Sequence, residues 1–189
     1  NLLAGEIVDQ VRLAARHWNA RPTHVVFMGM GEPFDNYDEW IRAVRRLNDP
    51  EGLNIGARRM TVSTAGVIPG IERLATEQLQ VELSVSLHAP DSELRSRLMP
   101  INRRYPLADL LKVCRAYTEK TRRIITFEYT LIRGMNDSRA QAQALARLLS
   151  GFPCRVNLIP LSPVEEFGQR GPERETLRYF LETLEKARI

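Results

Sequence analysis

The strongest constraint on how this chain folds is the alternation of polar and apolar residues within its β-type runs. In the run 81–87, Val81, Leu83, Val85 and Leu87 fall on one face, while Glu82, Ser84, Ser86 and the following His88 fall on the other. Phe127, Tyr129 and Leu131 likewise oppose Thr126, Glu128 and Thr130, and Met60 and Val62 oppose Thr61 and Ser63. Strand-like runs at 25–28, 59–62, 81–87, 124–131 and 155–159 alternate with helical patterns at 4–18, 37–47, 68–76, 107–120, 139–149 and 173–187. Such alternation predicts an α/β fold with a parallel sheet, its strands in sequence order. Parallel strands buried on both faces are almost wholly apolar, and these are not. The polar faces therefore look onto something polar. Either a curved sheet carries helices on its convex side and a ligand in its concave interior, or a buried hydrogen-bonded network closes on itself.

Composition bounds the class. With 43% hydrophobic and 26% charged residues over 189 positions, the chain has the make-up of a globular domain. No repeat or low-complexity tract divides it, so residues 1–189 are expected to form a single domain. No apolar stretch is long enough for a membrane span and the start does not read as a signal peptide, which predicts a cytoplasmic protein without membrane partners. The two cysteines, Cys114 and Cys154, share no motif with each other or with a histidine, so they predict buried small residues and no metal site. His17 and His24 have no partners at ligand spacing. The net charge of +4 suits a polyanion without demanding one. All the bases but Lys112, Lys120 and Lys186 are arginines, which suit phosphates and carboxylates.

The unusual sequences follow the strand-like runs: Gly29-Met30-Gly31-Glu32-Pro33, Ser63-Thr64-Ala65-Gly66, Ser86-Leu87-His88-Ala89-Pro90 and Asn157-Leu158-Ile159-Pro160. In parallel α/β folds ligands bind at the carboxyl ends of strands. Glu32, Ser63, Ser86, His88 and Asn157 are accordingly expected to line one cavity mouth. Gly29-Met30-Gly31 is not a dinucleotide fingerprint, because Phe34 stands where the third glycine would fall and Pro33 disfavours an immediate helix. The glycines instead let backbone approach a ligand, and Glu32 offers a carboxylate to an ammonium group.

Gly-Met-Gly-Glu-Pro-Phe resembles the glycine-glutamate-proline motif of radical S-adenosylmethionine (SAM) enzymes. Together with Met99-Pro100-Ile101-Asn102-Arg103-Arg104-Tyr105-Pro106, Phe127-Glu128-Tyr129 and Gly134-Met135-Asn136-Asp137, the ordered set is similar to the adenine-C2 RNA methyltransferases (the RlmN family) and their C8-methylating relatives. The resemblance covers essentially the whole chain. It implies a partial (βα)6-type radical SAM barrel with helices on the outer face and, as activity, radical methylation of adenine in 23S ribosomal RNA and transfer RNA. It places Gly31 and Glu32 on the methionine part of S-adenosylmethionine, and Ser63, Ser86, Leu87, His88 and Asn157 on the rest of the cofactor. Glu82 and Glu128 are expected to sit deeper and to pair with Arg58 or Arg59. Arg95, Arg97, Arg103 and Arg104 are expected to hold RNA phosphates, the alternative being a solvated basic loop.

The departures from the family pattern carry as much weight. The Cys-x3-Cys-x2-Cys ligands of the family's [4Fe-4S] cluster and its methyl-carrying cysteine have no counterpart here. Both ends, at Asn1 and Ile189, read as cut from something longer. The expectation is a central fragment without activity by itself, with a free sheet edge beside the Val25 strand through which copies associate. A C8-methylating relative and a non-catalytic RNA-binding domain of the same fold stay open as alternatives.

Overall fold

The computed structural model describes residues 1–163 and 168–189. Among them seven α-helices and five β-strands alternate. They are α1 (Ala4–His17), β1 (Val25–Phe27), α2 (Tyr37–Asn48), β2 (Met60–Thr64), α3 (Ile68–Leu74), β3 (Glu82–Ser86), α4 (Ser92–Leu98), α5 (Leu107–Thr121), β4 (Ile125–Leu131), α6 (Arg139–Leu149), β5 (Cys154–Pro160) and α7 (Arg174–Lys186). The fold is α/β with an open five-stranded parallel sheet in the order β1-β2-β3-β4-β5, as the alternation predicts. The chain divides into two compact units, Asn1–Ser84 and Val85–Ile189, with the boundary inside β3.

In the first unit β1 pairs with β2 in the register Val25↔Met60 and Phe27↔Val62. Met60 and Val62 are fully buried, and the alternating Thr61 and Ser63 are not. Helix α2 buries Tyr37, Trp40, Ile41, Val44 and Leu47, a spacing that forms one stripe of a 3.6-residue helix. Phe27, Phe34 and Tyr37 pack against the Trp40 ring, with centroids 5.9, 5.6 and 5.5 Å away. Gly70 in α3 lies so close to Phe34 that a Cβ there would come within 2.4 Å of its ring. Only glycine lets the helix seat against that ring.

In the second unit β4 and β5 pair from Ile125↔Cys154 to Leu131↔Pro160. Ile125, Phe127, Tyr129 and Leu131 are fully buried, with Leu145 and Leu149 of α6 and Phe180 of α7 in the same core. Helix α5 buries Leu107, Leu110, Leu111, Cys114 and Tyr117 along one stripe. Helix α6 starts on a capping box: Gln141 N–H donates to Ser138 Oγ at 3.2 Å, and Ser138 N–H donates to Gln141 Oε1 at 2.8 Å. The sequence patterns do not predict α4. It has seven residues, lies between Pro90 and Pro100, and starts where Asp91 Oδ1 accepts the Leu94 N–H at 2.8 Å.

Candidate functional site

Glu32 is built into the backbone that follows β1. Its Oε1 accepts the N–H of Phe34 at 3.0 Å, capping the 3-10 turn Pro33–Asn36, and its Oε2 accepts the N–H of Ala65 at 2.7 Å. One carboxylate thus ties the loop after β1 to the loop after β2. An ionised carboxylate has about four lone-pair positions, so roughly two remain for a ligand. Gly31 precedes it with φ +99°, a conformation that side chains rarely adopt. The second loop is shaped by Thr64, whose buried Oγ1 accepts the N–H groups of Gly66 and Val67 at 3.1 and 3.2 Å. Ser63 stands beside it, half-buried.

The loop after β1 borders a cavity of about 580 Å³ lined by Val26, Met28, Gly31, Glu32, Asn36 and Trp40, among others. The wall combines an anchored carboxylate with exposed Val26 and Met28, while Met30 projects fully into solvent. The Trp40 indole Nε1 is a buried donor without a hydrogen-bond partner among the described residues. An acceptor for an ammonium group, an open backbone turn and an apolar wall suit a sulfonium amino acid carrying a nucleoside, so these residues fit S-adenosylmethionine.

The second unit centres on His88. Its backbone is left-handed, with φ 56°. Its Nδ1 accepts the N–H of Thr130 at 3.0 Å, so the neutral ring carries its proton on Nε2. Burial, and secondarily the charge of Arg95, push its pKa down to about 4. Asn136, fully buried, fixes the turn around it. Its Nδ2 donates to His88 O at 2.9 Å and to Thr130 O at 2.7 Å, and its Oδ1 accepts the Ile132 N–H at 2.7 Å. The Tyr129 hydroxyl donates to Asn136 O at 2.9 Å. These three hydrogen bonds of the Asn136 amide serve one task, the path of the chain past His88.

Asn157 and Glu128 face each other across β4 and β5 in direct register, and Asn157 Nδ2 donates to Glu128 Oε2 at 2.7 Å. Glu128 was expected to pair with Arg58 or Arg59. Its partner is Asn157, and Arg58 gives its Nε to Gln80 Oε1 at 2.5 Å instead. The Leu87 side chain is fully buried and its N–H donates to Glu128 O at 2.9 Å. One further expectation is corrected by burial, because Arg95 is likewise fully buried. Its Nη1 donates to Asn102 Oδ1 at 2.9 Å and its Nη2 to Ser86 O at 3.0 Å, leaving it out of reach of RNA phosphates. Burial lowers the Arg95 pKa to about 10. Its Nη2 fixes the Ser86 carbonyl at the end of β3, which makes it a support of the expected cofactor residues. Arg97, Arg103 and Arg104 are exposed.

Asn136 and Arg95 are the residues whose roles the sequence analysis missed. Both sit in motifs that it singled out, but what they do depends on partners that no local pattern identifies.

The residues present do not fit an iron–sulfur cluster. Among the described residues no group of three or more His, Cys, Asp or Glu could hold a metal. Burial pushes the thiols of Cys114 and Cys154 up to about 12 and about 11, whereas a cluster ligand is a thiolate. No described helix is long and apolar enough to cross a membrane.

Residues 2–149 match the family model of the radical SAM superfamily. Over 189 residues the chain is 51% identical to the probable dual-specificity RNA methyltransferase RlmN of Caldanaerobacter subterraneus subsp. tengcongensis, covering 100% of this chain and 55% of that relative. The protein of the same name from Chloroflexus aurantiacus is 55% identical over 178 residues, 87% of this chain and 47% of the relative. The crystal structure of a radical SAM methyltransferase from Sphaerobacter thermophilus matches with a TM-score of 0.96 at 52% identity, over 100% of this chain and 56% of that one. The chain thus spans about half the length of the curated relatives it matches. A family model that covers most of the chain, together with the parallel α/β architecture, makes this protein a member of the radical SAM superfamily.

Proposed function

We propose that this chain is the cofactor-binding core of an RNA methyltransferase that uses S-adenosylmethionine by a radical route to methylate adenine at C2 in 23S ribosomal RNA and transfer RNA. The observation that carries the reading is the Glu32 carboxylate, held by the Phe34 and Ala65 N–H groups beside the open turn at Gly31. A carboxylate fixed by two backbone donors cannot swing to meet solvent, and its free lone pairs suit the cofactor's ammonium group. The names of the relatives support RNA as the substrate.

S-adenosylmethionine, when bound, supplies the methyl group. The chain's own residues bind and orient: Gly31 and Glu32 take the amino-acid end, and Ser63, Ser86, His88 and Asn157 take the remainder. His88 presents a neutral Nε2–H, a donor whose state does not change between pH 5 and 8. Exposed Arg97, Arg103 and Arg104 hold RNA phosphates, so affinity falls as salt rises, because releasing counterions into a more concentrated solution gains less entropy. Replacing Arg103 and Arg104 by Ala should weaken RNA binding and flatten its salt dependence, without changing cofactor affinity. Unchanged RNA affinity would remove that assignment.

The test of the whole reading is nucleoside mass spectrometry of 23S ribosomal RNA and transfer RNA from cells lacking the encoding gene. Loss of 2-methyladenosine is expected. Loss of 8-methyladenosine instead would assign the C8 chemistry, and no change in either would overturn the proposal.

A further inference from the structure

A second cavity, of about 330 Å³, lies wholly within the second unit at the amino-terminal ends of β4 and β5. It is therefore away from His88 and Thr130, which meet at the carboxyl-terminal end of β4. The last turn of α5 contributes Arg115 and Thr118, the link to β4 contributes Arg122 and Arg123, and the turn before β5 contributes Gly151 and Phe152. Glu119 is the one carboxylate in the lining, which it shares with the guanidinium groups of Arg115 and Arg122.

Three details make this more than a basic surface. The Arg115 guanidinium carbon lies 4.6 Å from the centroid of Phe152, which is 5% exposed, so a cation–π contact with a buried ring helps to hold it in place. Thr118 is 9% exposed, and its Oγ1 is buried without a partner among the described residues. Three residues on, Thr121 Oγ1 makes the ordinary bond back to Tyr117 O at 2.7 Å, so the unmet hydroxyl of Thr118 is not a general property of this helix. Finally, Arg122 occupies the left-handed cap of α5 with φ 59°, a position that glycine would fill without strain. No salt bridge of Arg115 or Arg122 is found among the described residues, although the helix end and Glu119 supply the local negative charge.

The guanidinium groups of Arg115 and Arg122 and an apolar wall that includes Ile124, 43% exposed, match a phosphate ester that carries a planar body. We propose that this cavity binds a mononucleotide unit, with its phosphate between Arg115 and Arg122 and its base against the wall of Ile124 and Pro153. Such a unit has two sources, a free nucleoside monophosphate or one nucleotide of an RNA chain. The proposal does not rest on the function assigned above, since no residue is shared with the S-adenosylmethionine cavity.

The experiment is titration of the isotopically labelled chain with adenosine 5′-monophosphate, followed by amide chemical shifts. Saturable shifts are expected at Thr118, Arg122, Gly151 and Phe152. Arg122→Asn keeps a residue that tolerates the left-handed backbone, and Arg115→Gln removes the stacked cation. Each should weaken binding at least tenfold, with thermal melting recorded in parallel. Should Arg115→Gln fail to fold, the exposed Arg122→Asn decides alone. No saturable shift, shifts confined to the Gly31 and Glu32 loop, or equal affinity in the folded variants would overturn the proposal. A short single-stranded RNA then identifies the source. If Arg122→Asn weakens it by the same factor as the monophosphate, the unit belongs to RNA, and if only the monophosphate weakens, the ligand is a free nucleotide.

Discussion

His88 is held twice, by a left-handed backbone that Asn136 braces and by a ring nitrogen that accepts the Thr130 N–H. The folded protein therefore keeps a neutral imidazole, and its pKa of about 4 lies below the ordinary 6.5. The sign of the pH effect follows. Between pH 6.5 and about 4 the unfolded chain takes up a proton that the folded chain refuses, so stability is present above pH 6.5 and is lost as pH falls through this window. The loss is on the order of 3 kcal/mol. His88→Asn tolerates the backbone and retains an acceptor, so urea unfolding between pH 7 and 4.5 should show a shallower decline in the variant. Parallel declines would mean that His88 is not the titrating group. Asn136 is tested by Asn136→Asp, which keeps the shape and sets an acceptor against the His88 and Thr130 carbonyls. Destabilisation by roughly 3 kcal/mol is expected in urea unfolding. His88 was legible because it directly follows a strand pattern. The role of Asn136 was not, because one of its bonds spans 48 residues.

At the scale of elements, the contact between α3 and the loop after β1 is the most sensitive joint. A Cβ on Gly70 would stand 2.4 Å from Cγ and Cδ2 of Phe34, and the Phe34 N–H is one of the two that hold Glu32. Gly70→Ala should therefore cost about 1–3 kcal/mol from overpacking. It should also weaken S-adenosylmethionine binding, because Phe34 cannot move without disturbing Glu32. Calorimetric titration of wild type and variant, at a temperature where both are folded, checks this, and unchanged affinity would separate the packing from the site. The strands were legible because one polar face per strand is a period-2 signal that survives in any parallel sheet with a lined interior. Helix α4 was not, since seven residues between two prolines make too few turns for a stripe, and an aspartate cap with tertiary packing holds it. For the same reason Arg95 was expected on the surface, in reach of RNA phosphates. A charged residue on an unseen helix defaults to the surface, whereas its guanidinium lies buried against Asn102 and the Ser86 carbonyl.

For the whole molecule, the decisive contrast lies between a cradle that fits S-adenosylmethionine and cysteines that do not fit a cluster. The chain has two cysteines, one buried inside α5 and one half-buried at the start of β5. Their thiols remain protonated at neutral pH, with pKa values pushed up to about 12 and about 11 by burial. Iron–sulfur clusters are normally held by several thiolates at once, and freeing Cys114 for that purpose would open the core around Leu110, Leu111 and Tyr117. We therefore expect the purified chain, incubated anaerobically with iron and sulfide and then desalted, to retain no stoichiometric cluster. With no protein-held reductant, it should also release no 5′-deoxyadenosine from S-adenosylmethionine above a protein-free control. The replacement Cys114→Ala, Cys154→Ala distinguishes adventitious iron from a site. Any iron that survives desalting should be the same with and without the two thiols. One cluster per chain, lost in the double variant, would show that the fold rearranges to recruit cysteines that it holds as core residues. Binding to the Glu32 cavity is measured separately by calorimetry and should be indifferent to the cysteine replacements, because the Phe34 and Ala65 N–H groups that hold Glu32 touch neither cysteine.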